Sequence, residues 1–94
     1  MFDIRRTESG DILMSGRLDA SQAEKARDVL RGVQGSCVVD FTDLEYISSL
    51  GLGVLLEAQK RLMDAGAGLR LRNLSEHLQE VFHLAGFDIV FDIE

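Results

Sequence analysis

The stretch Asp40-Phe41-Thr42-Asp43-Leu44-Glu45-Tyr46-Ile47-Ser48-Ser49-Leu50-Gly51-Leu52-Gly53-Val54-Leu55-Leu56 decides how this chain is read. It follows Cys37-Val38-Val39, an apolar, β-branched run too short for a helix, which predicts a buried central strand. A polar loop then leads through two serines into a helix running to about Ala65. Ser49 stands where an N-cap belongs, its hydroxyl able to accept from a free amide of the first turn. Gly51 and Gly53 follow, each costing up to roughly 1 kcal/mol against alanine in a helix. A helix that only packs gains nothing from them. They mark a close approach to the backbone by a neighbouring strand, a phosphate or a partner protein.

Turning this helix at about 100° per residue from Ser49 separates its faces. Leu52, Leu55, Leu56, Leu62 and Met63 fall between about 220° and 340°, the expected core side, and Glu57, Lys60, Arg61 and Asp64 between about 20° and 120°. Leu50 comes at about 100°, among the charges, which makes it a candidate contact residue.

Working outward, apolar periods of two and of 3.6 take turns along the chain. Phe2 and Ile4, then Ile12-Leu13-Met14, predict two strands joined through Glu8-Ser9-Gly10-Asp11. Ala23, Ala26, Leu30 and Val33 form a helical stripe that Asp19 or Ser21 can cap, with Ser21 and Glu24 spaced as a capping box and Gly32 and Gly35 as stops. Gly66 and Gly68 end the second helix, and Leu69-Arg70-Leu71-Arg72 alternates as a half-exposed strand does. Ser75 caps a third helix with the stripe Leu78, Val81, Phe82 and Ala85, and Ile89-Val90-Phe91 is the last expected strand. The order ββαβαβαβ predicts one small α/β domain over 1–94, a mixed sheet of four to five strands with helices mainly on one face.

Ninety-four residues support one core. No apolar run approaches the ~20 residues that cross a bilayer, and Asp3, Arg5 and Arg6 sit where a signal peptide needs apolar residues. One cysteine, Cys37, makes no internal disulfide, so the expectation is a cytoplasmic protein with that thiol in the core. A net charge of −6 opposes nucleic acid. Asp40, Asp43 and Glu45 read as a solvated loop rather than a metal shell, and His77 and His83, six apart, do not share a helix face. Neither a G-x-S-x-G elbow nor a P-loop is present, so no enzyme, metal or cofactor is expected.

The strand, the paired serine and Gly51-Leu52-Gly53-Val54-Leu55-Leu56 resemble the phosphorylation segment of the anti-sigma factor antagonists, the STAS domains. Gly16-Arg17-Leu18-Asp19 matches that family's Gly-x-Leu-Asp turn, and the element order extends the resemblance over essentially the whole chain. The family pattern reads Asp-Ser-Ser-Gly, its first serine phosphorylated. Ser48 stands at the aspartate, Ser49 at the phosphorylated serine, Leu50 at the second serine and Gly51 at the glycine. Ser48 is thereby a second candidate acceptor. The resemblance implies partner switching: the unmodified protein binds an anti-sigma factor serine kinase, phosphorylation of Ser49 ends the complex, and a serine phosphatase resets it. Leu50, Gly51, Gly53 and Asp19 are the expected partner surface. The alternative is a STAS interaction subunit of a larger assembly, such as a lipid transporter, working without phosphorylation.

Overall fold

A computed structural model describes residues 1–94. Five strands, β1 (Phe2–Arg6), β2 (Ile12–Leu18), β3 (Cys37–Ile47), β4 (Leu69–Arg72) and β5 (Asp92–Ile93), lie in sequential spatial order in one sheet. β1 pairs antiparallel with β2, and the later pairs are parallel. Helices α1 (Ala23–Arg31), α2 (Ser49–Asp64) and α3 (Glu76–Leu84) make the three crossovers. Because parallel strands in sequential order are joined by right-handed crossovers, all three helices fall on the same face.

That face holds a single core of 24 buried apolar residues. Ile12, Met14, Val39, Phe41, Leu69 and Leu71 come from the sheet, Leu30, Leu55, Leu62, Leu78 and Phe82 from the helices. Phe82 meets Phe41 and Phe91 edge-on at centroid distances of 5.8 and 6.0 Å, tying α3 to β3 and to the C-terminal segment. Cys37 is buried, and that burial pushes its thiol pKa up. The opposite sheet face carries Arg70 and the half-buried Arg72, as the alternation of β4 predicts.

The structure departs from the sequence expectation at several points, and β2, expected over Ile12–Met14, runs on to Leu18. The polar segment after Val39 is not a loop: β3 continues to Ile47. Two irregularities in the β2–β3 register each insert one extra residue into β3, between Asp40 and Asp43 and between Leu44 and Tyr46. Burial therefore advances by threes, through Phe41, Leu44 and Ile47, and the period of two disappears. Asp40 steadies the first bulge, its Oδ1 accepting from the Thr42 amide and hydroxyl at 2.9 and 2.6 Å. Burial raises the Asp40 pKa, but these bonds, the Asn73 amide and Arg72 outweigh it and hold the group low.

The last strand is Asp92–Ile93 rather than Ile89–Phe91, because Phe87–Ile89 forms a 3-10 turn after the left-handed Gly86. The capping box does not form either. Asp19 caps a 3-10 turn, Ala20–Gln22, ahead of α1, and the Ser21 hydroxyl donates to Asp19 at 2.6 Å instead of serving Glu24. Ser75 caps α3 as expected, accepting from Leu78 N at 3.2 Å.

Candidate functional site

β2 and β3 end side by side, and the Ser48 amide donates to Leu18 O at 2.8 Å across their ends. The chain leaves β2 through Asp19 into the 3-10 turn and leaves β3 through Ser48 into α2, so these two turns are neighbours. Asp19 Oδ1 accepts from the Ser21 amide at 3.0 Å as well as from its hydroxyl. The hydroxyl bond is the main reason its carboxyl stays below the ordinary range, and Arg17 adds to the effect.

The cap of α2 is Ser48, not Ser49. Ser48 Oγ accepts from Gly51 N at 3.1 Å, and its carbonyl takes the Leu52 amide at 2.9 Å. The cap comes one residue earlier than the sequence suggests: β3 extends to Ile47, and the cap is the first residue after it. Ser49 is the first helical residue, exposed, with a hydroxyl that makes no hydrogen bond in the protein. Amides in a first turn have no intrahelical acceptor, so Ser49 lies where backbone N–H groups and the positive end of the helix dipole point outward.

Leu50 is 56% exposed, as its angle predicts. The two glycines part company. A Cβ on Gly51 would lie 2.8 Å from Leu18 Cγ and 3.0 Å from Ile47 Cγ1, so the close approach there is to the strands beneath. Gly51 is buried and offers no partner surface, which corrects its place among the contact residues. Gly53 is exposed, and a Cβ would meet nothing within 4 Å.

The core arc of α2 is also rotated from its expected position. Val54, Ala58 and Gln59 are buried with Leu55 and Leu62, while Met63 is 55% exposed. The helix leans on α1 as well as on the sheet, and Arg61 donates to Leu30 O at 2.9 Å across that contact. Two features escaped the sequence reading. Gln59 bridges Leu69 N at 2.7 Å and Val90 O at 2.8 Å. Arg17 lies over the Tyr46 ring, 4.3 Å from its centroid. The register that pairs Arg17 with Tyr46 exists only because of the two bulges, so no regular period announces it.

Elsewhere, His83 bonds Asp88 at 2.6 Å, joining α3 to the turn after it, and no helix is long and apolar enough to cross a membrane.

Residues 3–92 match the family model described as "Mlab, STAS domain". The anti-sigma-B factor antagonist of Listeria monocytogenes is 33% identical over 94 residues, covering 96% of this chain and 82% of that protein. The anti-sigma-B factor antagonist of Bacillus subtilis is 30% identical over 95 residues, covering 97% and 87%. The structure of the Bacillus cell fate determinant SpoIIAA in its phosphorylated form shares the fold, with a TM-score of 0.71 at 20% identity over 100% of this chain and 91% of that one.

Proposed function

The chain belongs to the STAS-domain family, and from that premise we propose that it is an anti-sigma factor antagonist working by partner switching. Residues 1–94 act as one STAS domain, in the cytoplasm, in a regulatory rather than a catalytic role. The unmodified protein docks on an anti-sigma factor serine kinase through Ser49, Leu50, Gly53 and the Asp19 turn. The kinase transfers the terminal phosphoryl group of ATP to Ser49 Oγ. The hydroxyl proton passes to a base of the kinase, and ADP leaves. A serine phosphatase adds water across the phosphate ester, restoring the hydroxyl and releasing inorganic phosphate.

One observation carries this reading: of the two serines at the start of α2, Ser48 is committed to Gly51 N and Ser49 is exposed and unbonded. Phosphorylation of Ser49 needs no structural bond broken. It places about −1.5 to −2 charges at a helix N-terminus, where they favour the fold, and beside Leu50, where they oppose an apolar contact. Intact-mass analysis with the kinase recovered from the source cells and ATP tests it. One phosphate on the wild type and none on Ser49→Ala is the expected result, and a phosphate mapped to Ser48 refutes the choice of serine.

Ser48, standing where the family pattern has aspartate, favours a second reading, an interaction subunit that is never phosphorylated. Protein purified from its own cells in a stable complex, with no phosphate on any serine under any growth condition, selects that reading.

A further inference from the structure

In a chain with 16 acidic residues and 10 lysines and arginines, most cations are used internally. Arg27, Arg31, Arg70 and Arg72 pair with carboxylates. Arg6 and Arg61 donate to backbone carbonyls. Arg17 does neither: it is exposed and its side chain makes no ion pair or hydrogen bond, although acids outnumber bases in the chain. Its nearest acidic neighbour in sequence, Asp19, is tied to Ser21. Arg5 is also unpaired, but only Arg17 among the arginines rests on an aromatic ring.

Stacking uses the flat face of a guanidinium and leaves the N–H fork at its edge open, and that fork matches a carboxylate bidentately. A side chain already ordered on a ring also loses less freedom on binding. Arginine and tyrosine are the residue types most often found carrying binding energy at interfaces. Position adds a further argument. Tyr46 is two residues before Ser48, and Arg17 is two before Asp19, so the stack adjoins both turns of the site along the paired strand ends.

We propose that Arg17, held on Tyr46, anchors an aspartate or glutamate side chain of the partner protein, extending the docking face from the start of α2 across the ends of β2 and β3. This rests on the partner-switching reading. The partner surface then presents an apolar recess for Leu50 and, beside it, a carboxylate for Arg17. Tyr46 acts as a positioning residue.

The test is the affinity of the kinase recovered from the source cells for the unphosphorylated protein, measured calorimetrically on variants whose melts match the wild type. Arg17→Gln weakens binding about tenfold or more, whereas Arg5→Gln, which removes the same charge, stays within about twofold. Arg17→Lys also weakens it, having lost the planar fork. Tyr46→Phe keeps the affinity and Tyr46→Leu lowers it, which separates the stack from any role of the phenol. Equal effects of Arg17→Gln and Arg5→Gln overturn the anchor, leaving only long-range charge. If Leu50→Asp abolishes binding while Arg17→Gln is neutral, the anchor fails and the partner-switching reading stands. If Leu50→Asp binds as the wild type does, that reading fails, and the anchor with it.

Discussion

Gly51 and Gly53 occupy one helix two residues apart, and alanine at each has opposite consequences. Alanine is favoured over glycine in a helix by roughly 0.5–1 kcal/mol, somewhat less in the first turn. At Gly53 nothing opposes that gain, since a Cβ there meets no atom within 4 Å. Gly53→Ala therefore stabilises by about 0.5–1 kcal/mol, a rise of ~2–8 °C in a domain of this size. At Gly51 the added carbon lies 2.8 Å from Leu18 Cγ and 3.0 Å from both Leu18 Cδ2 and Ile47 Cγ1. Leu18 is wholly buried and Ile47 only 5% exposed, so neither can swing into solvent. The start of α2 must lift from the sheet, and overpacking of this kind costs about 1–3 kcal/mol. Net of a propensity gain of about 0.5 kcal/mol in the first turn, Gly51→Ala destabilises by about 0.5–2.5 kcal/mol, a fall of at least ~2 °C. Thermal and urea melts of both variants decide the matter. Gly51→Ala melting at or above the wild type would refute the packing argument. If Gly53 belongs to the proposed docking face, Gly53→Ala also loses affinity for the partner while gaining stability. A stabilised Gly53→Ala that binds normally removes it from the docking face.

The remaining expectations concern single side chains. Ser48→Ala loses the cap of α2 and about 1 kcal/mol of stability, yet mass mapping still finds phosphate on Ser49. Leu50→Ala leaves the melt within about 0.5 kcal/mol and weakens partner binding by about 1 kcal/mol or more; a sharp fall in melting temperature with unchanged affinity would return Leu50 to the core. Gln59→Leu leaves Leu69 N–H and Val90 C=O without their partner, at a cost of about 1–3 kcal/mol each, and hydrogen exchange at Leu69 should accelerate. The His83 bond to Asp88 raises the His83 pKa above 6.5 and lowers that of Asp88 below 3.8. The histidine's contribution is complete below 6.5 and fades as pH rises through its raised value. The aspartate's is complete above 3.8 and fades as pH falls through its lowered one. The turn after α3 is thus held best between those values. A proton-detected titration of His83 that does not move back toward 6.5 in Asp88→Asn contradicts this.

How far the sequence could be read depended on how regular each element is. β4 announces itself because Leu69 and Leu71 face the core while Arg70 and Arg72 face away, one residue in two. α3 announces itself because Ser75 caps it and Leu78 and Phe82 keep helical spacing. β3 hides its second half because the bulges at Thr42 and Glu45 change the interval between buried residues from two to three. A segment with acids at Asp40, Asp43 and Glu45 and no period looks like a loop. With that half of the strand hidden, the sequence points to Ser49 as the cap, where the structure has Ser48. The rotation of α2 is hidden for a different reason. Leucine content marks the core side, but Val54 and Ala58, buried along the seam with Arg27, Leu30 and Arg31 of α1, carry little weight in such a count. The Gln59 bridge is a tertiary arrangement between residues 10 and 31 positions apart, and nothing local encodes it.

Moving the cap from Ser49 to Ser48 strengthens the proposed switch. Had Ser49 been the cap, phosphorylation would have modified the hydroxyl that satisfies the helix, and loss of the partner could have reflected disturbance of α2 as much as the added charge. With Ser48 accepting from Gly51 N and Gly51 seated on Leu18 and Ile47, the start of the helix is fixed by groups on either side of Ser49. The residues left over, Ser49, Leu50 and Gly53, share no structural duty. A charge added at Ser49 then acts on whatever docks there, and the fold is left intact. This ordering predicts that Ser49→Asp melts within a few degrees of the wild type, since an anion at a helix N-terminus contributes about 0.3–1 kcal/mol in the fold's favour. The same variant should lose the kinase. If it instead unfolds, Ser49 is a structural residue after all, and the division of labour between the two serines is wrong.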